Sequence, residues 1–193
     1  MSDQLLELLT LPVEQAAPAL LGWRLRSAID GHVTEVEIEE VEAYGGADDP
    51  ASHAYRGRTN RNASMFGEAG TLYVYRSYGI HWCANVVTGR QGEGRAVLLR
   101  GGVPTEGLAI LEARRGRVDH LTDGPGRLCQ ALAINGDHDG ISLLNGPVRL
   151  RPPTSPLDGA VVATPRIGIS KATERLWRFT LAGDNGQDRG PST

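Results

Sequence analysis

Residues 33–44 read VTEVEIEEVEAY, and this stretch decides the fold. Apolar and polar residues alternate as in a strand buried on one face, with Val36 and Ile38 on the same side. The alternation slips at Glu39-Glu40 and resumes with Val41 and Ala43. One extra residue at that point is the signature of a β-bulge, a device often found beside active sites. The slip leaves Glu42 and Tyr44 together on the opposite face.

Outward from this strand, residues 45–70 are polar, rich in Gly and Arg and without periodicity. Structureless loops of that length inside a domain are usually functional or disordered. Strands follow over 71–75, 81–87 and 96–100. In the first, Leu72 and Val74 oppose Tyr73 and Tyr75. Residues 105–115 and 126–134 read as helices, the second opened by Gly-Pro-Gly and closed by Asn135-Gly136. Before the first strand, 4–9 and 12–20 read as helices, with Gly22 as a stop. Shorter strands fit 141–144, 147–151, 161–169 and 177–182. Strands predominate and helices do not alternate with them. The pattern predicts a single α+β domain over 1–183, with a curved, mainly antiparallel β-sheet and flanking helices, and a flexible tail over 184–193.

The chain has 193 residues, 40 % of them hydrophobic, enough for a substantial core. It contains no run of about 18 apolar residues, so no membrane-spanning helix is expected. The start does not read as a signal peptide, because it lacks a basic segment and carries Asp3, Glu7 and Glu14. Cys83 and Cys129 are too few for a disulfide framework and read as buried thiols in a reducing cytoplasm. The net charge of −3 conceals a division. Residues 30–50 hold eight acids and no Lys or Arg, whereas 51–130 hold eleven Arg against six acids. An acidic protein can still present a basic face to phosphates. Nineteen of the twenty basic residues are arginine, and Lys171 is the single lysine.

Glu35, Glu37 and Glu39 read as a solvated strand face. Glu42 differs because it follows the bulge and precedes Ala-Tyr and the long polar loop. His53 lies in that loop; taken alone, a single His is more often a surface or core residue than a catalytic one. No HxxxH or HxE…CxxC spacing occurs, so no zinc site is read and no metal or cofactor is expected. Residues 73–82 gather Tyr73, Tyr75, Tyr78, His81 and Trp82. A Ser-Tyr-Gly-Ile turn pushes Tyr78 outwards, where an aromatic ring beside Arg76 suits stacking on bases or wedging between them. Gly124-Pro125-Gly126 reads as a plain helix start that also offers N–H groups to a phosphate. Arg100 follows four apolar residues, and spacing alone does not decide between a buried acceptor and a snorkelling side chain.

Five segments in order, EVEAYGGADDPASHAYRG, MFGEAGTLYVYRSYGIHWCANV, AVLLRGGVPTEGL, GPGRLCQALAIN and AVVATPRIGI, resemble the alkyladenine (3-methyladenine) DNA glycosylases of the mammalian type, which also occur in bacteria. The resemblance runs from about residue 20 to residue 181. It implies that Glu42 is the general base and that Tyr44, His53 and Tyr75 sandwich a flipped base. It further implies that Tyr78 intercalates in the duplex, that Asn85 collides with the 2-amino group of guanine, and that Arg100 lies next to the catalytic water. The implied partner is double-stranded DNA containing damaged purines, in the bacterial cytoplasm at the nucleoid and with no membrane. The sequence is silent on oligomeric state, and a monomer is expected because duplex repair by this chemistry needs no symmetry. The loop GRTNRNAS and the pair Ile80-His81 depart from the better-known eukaryotic sequences, which bears on lesion range.

The chemistry expected is extrusion of the base followed by hydrolysis of its N-glycosidic bond through an oxocarbenium-like sugar. One carboxylate suffices for a cationic alkylpurine, which leaves without prior protonation. Lys171 is far from Glu42 in sequence, so no Schiff base is expected and the enzyme should leave an abasic site uncut. Two other readings compete: a non-catalytic nucleic-acid-binding module, and a hydrolase of free nucleosides.

Overall fold

The computed structural model describes residues 2–157 and 159–182; the tail expected over 184–193 lies outside them. Its organising strand is β2 (His32–Tyr44), which follows β1 (Arg24–Ile29) in a hairpin. The remaining strands are β3 (Leu72–Ser77), β4 (His81–Thr88), β5 (Arg95–Glu106), β6 (Val148–Arg151), β7 (Val161–Thr164) and β8 (Arg178–Leu181). They form a curled antiparallel sheet in the order β3-β4-β5-β2-β1-β6. Past Glu37, β8 takes the place of β1 along β2, and β7 pairs with β8. Helices α1 (Ser2–Leu9), α2 (Val13–Ala19), α3 (Leu108–Arg115) and α4 (Pro125–Ala131) complete an α+β domain.

The expected bulge is present. Ile38 faces Gly102, Glu40 faces Gly101 and Val41 faces Leu99, so the register steps over Glu39 on one strand and Arg100 on the other. The crossing is tight there: a Cβ at Gly102 would sit 2.2 Å from the Glu37 carbonyl oxygen. Val36, Ile38, Val41 and Ala43 therefore all stay in the main core, with Leu72, Val74, Ala84, Val86, Val97 and Leu99 from the neighbouring strands. Leu5, Leu9, Leu20, Leu128 and Leu132 close that core from the helical side. Each such leucine contributes about 1.5–3 kcal/mol by burial. On the opposite face the long loop folds back as two 3-10 segments, Gly46–Asp48 and Asn60–Phe66. It builds a second cluster there, in which Ala54 and Met65 pack with Tyr73, Val87 and Ala96.

Several expectations are corrected. Strand β1 was not foreseen: of its two buried positions, Leu25 and Ser27, one is polar, and the Ser27 hydroxyl is satisfied by donating to Leu132 O at 2.7 Å. Strand β5 runs on to Glu106, so α3 starts at Leu108 rather than 105. The strand expected over 141–144 is only a bridge, Thr71 to Ser142, and that over 161–169 ends at Thr164. Glu35 is not solvated: it is buried among Arg24, Arg26 and Arg151, with its Oε1 3.0 Å from Arg24. Cys83 and Cys129 are free and buried, as read.

Candidate active site

Cross-strand pairing places the candidate residues in a row. Glu42 faces Leu98, Leu98 faces Asn85, and Asn85 faces Tyr73. Directly opposed residues of an antiparallel sheet project to the same face, and each strand step is about 4.8 Å. Glu42 and Asn85 thus stand two strands apart on the face away from the main core, and Tyr44 and Tyr75 pack over the second cluster on that face.

Glu42 has no solvent exposure. A buried carboxylate needs donors, and three converge on it. The Tyr44 hydroxyl donates to Oε2 at 2.9 Å, the Ile167 backbone N–H donates to Oε1 at 2.8 Å, and Arg100 Nη1 lies 3.3 Å from Oε1. Burial first, and the Glu42 charge second, push the Tyr44 phenol far above its ordinary pKa, so it remains a donor. Arg100 lies between two carboxylates, its Nε donating to Glu40 at 2.8 Å. Burial opposes its charge, but Glu42 and Glu40 outweigh burial and raise its pKa. Glu40 is burdened by burial too, yet Arg178 at 2.6 Å and Arg100 hold its carboxyl below the usual range. The sequence left the destination of Arg100 open; it is a pair of acceptors, the buried Glu42 and the half-buried Glu40.

A second buried ion pair fixes the floor of the site. The Arg166 guanidinium and the Asp49 carboxylate have no exposed side-chain surface and pair twice, at 2.5 and 2.8 Å. Arg166 also donates to Ala43 O at 2.9 Å and lies over the rings of Tyr44 and Trp177, at 4.8 and 5.3 Å. The residue after Arg166 is the Ile167 that donates to Glu42, so this pair ties the end of β2 to the backbone that holds the carboxylate. Sequence reasoning singled out none of Asp49, Arg166, Glu40 or Trp177. The lone signal for Asp49, Arg166 and Glu40 was their occurrence inside the quoted segments; Trp177 lies outside all of them.

His53 meets Tyr75 edge-on at 4.5 Å between centroids, and its Nδ1 lies 3.0 Å from the Tyr73 hydroxyl. Packing of its inner edge, then the Arg61 charge, lower its pKa, which favours the neutral ring near pH 7. Asn62 donates to His53 O at 2.9 Å and secures the loop. Tyr73, which stacks on Tyr75 at 5.6 Å, is a member of this wall that the alternation with Tyr75 already signalled. Asn85 donates to Tyr73 O at 3.0 Å, so its amide is fixed in place. Tyr78 is 93 % exposed at the β3–β4 turn. Ile80 N–H closes that turn on Ser77 O at 2.9 Å, with φ of 49° at Tyr78 and 70° at Gly79. Such primed turns favour Asn or Gly at the first position, and a Tyr held there is strained.

Gly124-Pro125-Gly126 opens α4 as a plain helix start, and Arg127 pairs with Asp123 at 3.0 Å. Lys171 corrects a premise. Distance along the chain does not separate it from the site: it lines a cavity of about 410 Å³ together with His53, Arg56 and Ser170.

The family model for methylpurine-DNA glycosylase matches residues 7–185. A protein of Rhodopseudomonas palustris (strain BisB18) is 49 % identical over 173 residues, 89 % of this chain and 83 % of its own length. One from Frankia casuarinae is 50 % identical over 186 residues, 90 % and 86 % of the two chains. One from Methanoculleus marisnigri is 50 % identical over 155 residues, 78 % and 80 %. All three carry the name "Putative 3-methyladenine DNA glycosylase". With the family model covering nearly the whole described chain, this protein belongs to the methylpurine-DNA glycosylase family.

Proposed function

We propose that this glycosylase extrudes alkylated or deaminated purines (3-methyladenine, 7-methylguanine, hypoxanthine, ethenoadenine) from duplex DNA and hydrolyses their N-glycosidic bond with a water activated by Glu42. The observation that carries the reading is a carboxylate without solvent exposure, held by three donors, in one strand row with Asn85 and beside an aromatic wall. Unstacking a base costs a few kcal/mol and least at damaged pairs. Tyr78 fills the gap left in the duplex, while Tyr44, His53 and Tyr75 enclose the extruded base. Facing π-systems favour a cationic purine by about 0.5–2 kcal/mol. Glu42 stabilises the oxocarbenium-like sugar and takes a proton from the attacking water, with Arg100 beside that water. Asn85 rejects guanine by a clash with its 2-amino group. The product is an abasic site in an uncut strand.

The test is single-turnover excision from duplexes carrying one hypoxanthine, ethenoadenine or alkylated purine, with wild type beside Glu42→Gln. The wild type releases base and the variant binds without cutting. Binding by both proteins with release by neither would replace this reading with that of a binding module. Borohydride trapping of a protein–DNA adduct would refute the uncut product.

A further inference from the structure

Ten of the described arginines meet carboxylates of the chain itself; the other eight, Arg56, Arg58, Arg61, Arg76, Arg90, Arg114, Arg115 and Arg149, meet none, and of these it is Arg56 that lines a cavity with the single lysine. Arg56 and Lys171 are exposed, and Lys171 too meets no carboxylate among the described residues. Both line a cavity that also takes in His53. One wall carries Ser52, His53 and Arg56, and the other Gly168, Ser170 and Lys171. Each wall is anchored to the buried Asp49–Arg166 pair, because one begins just after Asp49 and the other two residues after Arg166. The backbone opens on the cavity as well: Gly168 has φ of 75°, and a Cβ built on it meets nothing within 4 Å.

Resting on the glycosylase reading, we propose that this cavity is a phosphate clamp, in which Arg56 and Lys171 close from opposite walls on a backbone phosphodiester next to the extruded nucleotide. A base cannot leave the stack without its flanking phosphates swinging with it. A cationic seat alongside His53 takes up that displaced charge and fixes the sugar over Glu42. It also gives the single lysine a task that needs no covalent step. An unpaired guanidinium and an unpaired ammonium are the two side chains best suited to a phosphate, and polar hydroxyls beside them complete its acceptor needs.

The experiment measures binding of a duplex carrying one hypoxanthine across a salt series, for wild type, Lys171→Gln and Arg56→Gln. Each substitution should lower the slope of log K against log salt by about one and leave melting unchanged. Arg149→Gln, at the far edge strand, should leave the slope alone. The same duplex is then made with each phosphate flanking the lesion replaced in turn by an uncharged methylphosphonate. One of these replacements should weaken wild type severalfold and Lys171→Gln no further. Additive losses in that cycle, or an unchanged slope, overturn the clamp. So does borohydride trapping that disappears in Lys171→Gln, which would make the lysine a nucleophile instead. If wild type itself excises nothing, it is the glycosylase reading that fails, and the salt and methylphosphonate arms still decide the phosphate contact.

Discussion

Substituting Asp49 with Asn tests whether the Arg166 pair is the tether of the Glu42 carboxylate. The change is nearly isosteric and leaves a guanidinium with no exposed side-chain surface facing a neutral amide. Breaking a buried pair from one side costs about 3–5 kcal/mol, since the other charge stays buried. For a domain of this size that lowers Tm by about 6–20 °C. The pH dependence has a definite sign. Burial alone would raise the Asp49 carboxyl, but Arg166 and the Gly45 and Ala51 N–H groups outweigh it and hold it below the usual range. A depressed carboxyl contributes stability above its unfolded pKa of about 3.9, and that stability is lost as pH falls through the lower folded value. The gap in Tm between wild type and Asp49→Asn should be full at pH 7 and shrink under strong acid, where wild type protonates Asp49 as well. Below both melting temperatures, displacement of the Ile167 N–H from Glu42 should lower the single-turnover rate by about ten- to a hundredfold, with binding little changed. Calorimetry across pH and single-turnover excision read these effects. A Tm within about 2 °C of wild type at pH 7, or a gap that does not depend on pH, would refute the tether.

Tyr44→Phe keeps the ring and removes one donor from the buried Glu42, so excision should fall about ten- to a hundredfold in single-turnover assays and Tm should drop by about 2–12 °C. Tyr78→Gly relieves a left-handed tyrosine of roughly 1–2 kcal/mol of strain and should raise Tm, yet slow excision of paired lesions more than of single-stranded ones. Asn85→Ala should release guanine from undamaged duplex at a rate above wild type, as base-release assays would show. Protonating His53 adds a positive charge beside the base. Because its pKa is already lowered, excision of cationic lesions should weaken only below about pH 6.5.

Much of the fold lay open in the alternation of β2. Its slip at Glu39-Glu40 is a local property of the chain, and it fixed both the bulge and the face on which Glu42 stands. Strand β1 escaped because Ser27 occupies an inward position, where the Leu132 carbonyl supplies its partner from another element. Glu35 misled for the same reason: its partners Arg24, Arg26 and Arg151 lie on other strands. The candidate site shows the same split. Glu42, Tyr44 and Tyr78 were legible from neighbours along the chain. Asp49 and Arg166 are 117 residues apart, and only closure of the sheet reveals that they meet.

The charges of the site explain why so much of it is paired. Three carboxylates, Glu40, Glu42 and Asp49, meet Arg100, Arg166 and Arg178 at 3.3 Å or less, while Arg175 stands 4.0 Å from both Asp49 and Glu174. A surplus of carboxylates in this buried space would repel itself and take up protons; a surplus of guanidiniums would repel a cationic purine. With the closest pairs balanced, the proposed mechanism makes the positive charge of a cationic base, which shifts to the sugar as the bond breaks, the uncompensated one. On the proposed mechanism Glu42 is the carboxylate that answers it. Arg100 Nε is committed to Glu40 at 2.8 Å, whereas its approach to Glu42 is longer, at 3.3 Å. The firm pair anchors the strand; the looser one leaves the Glu42 charge, held in place by Tyr44 and Ile167, the less neutralised of the two, which is what the proposed mechanism asks of it.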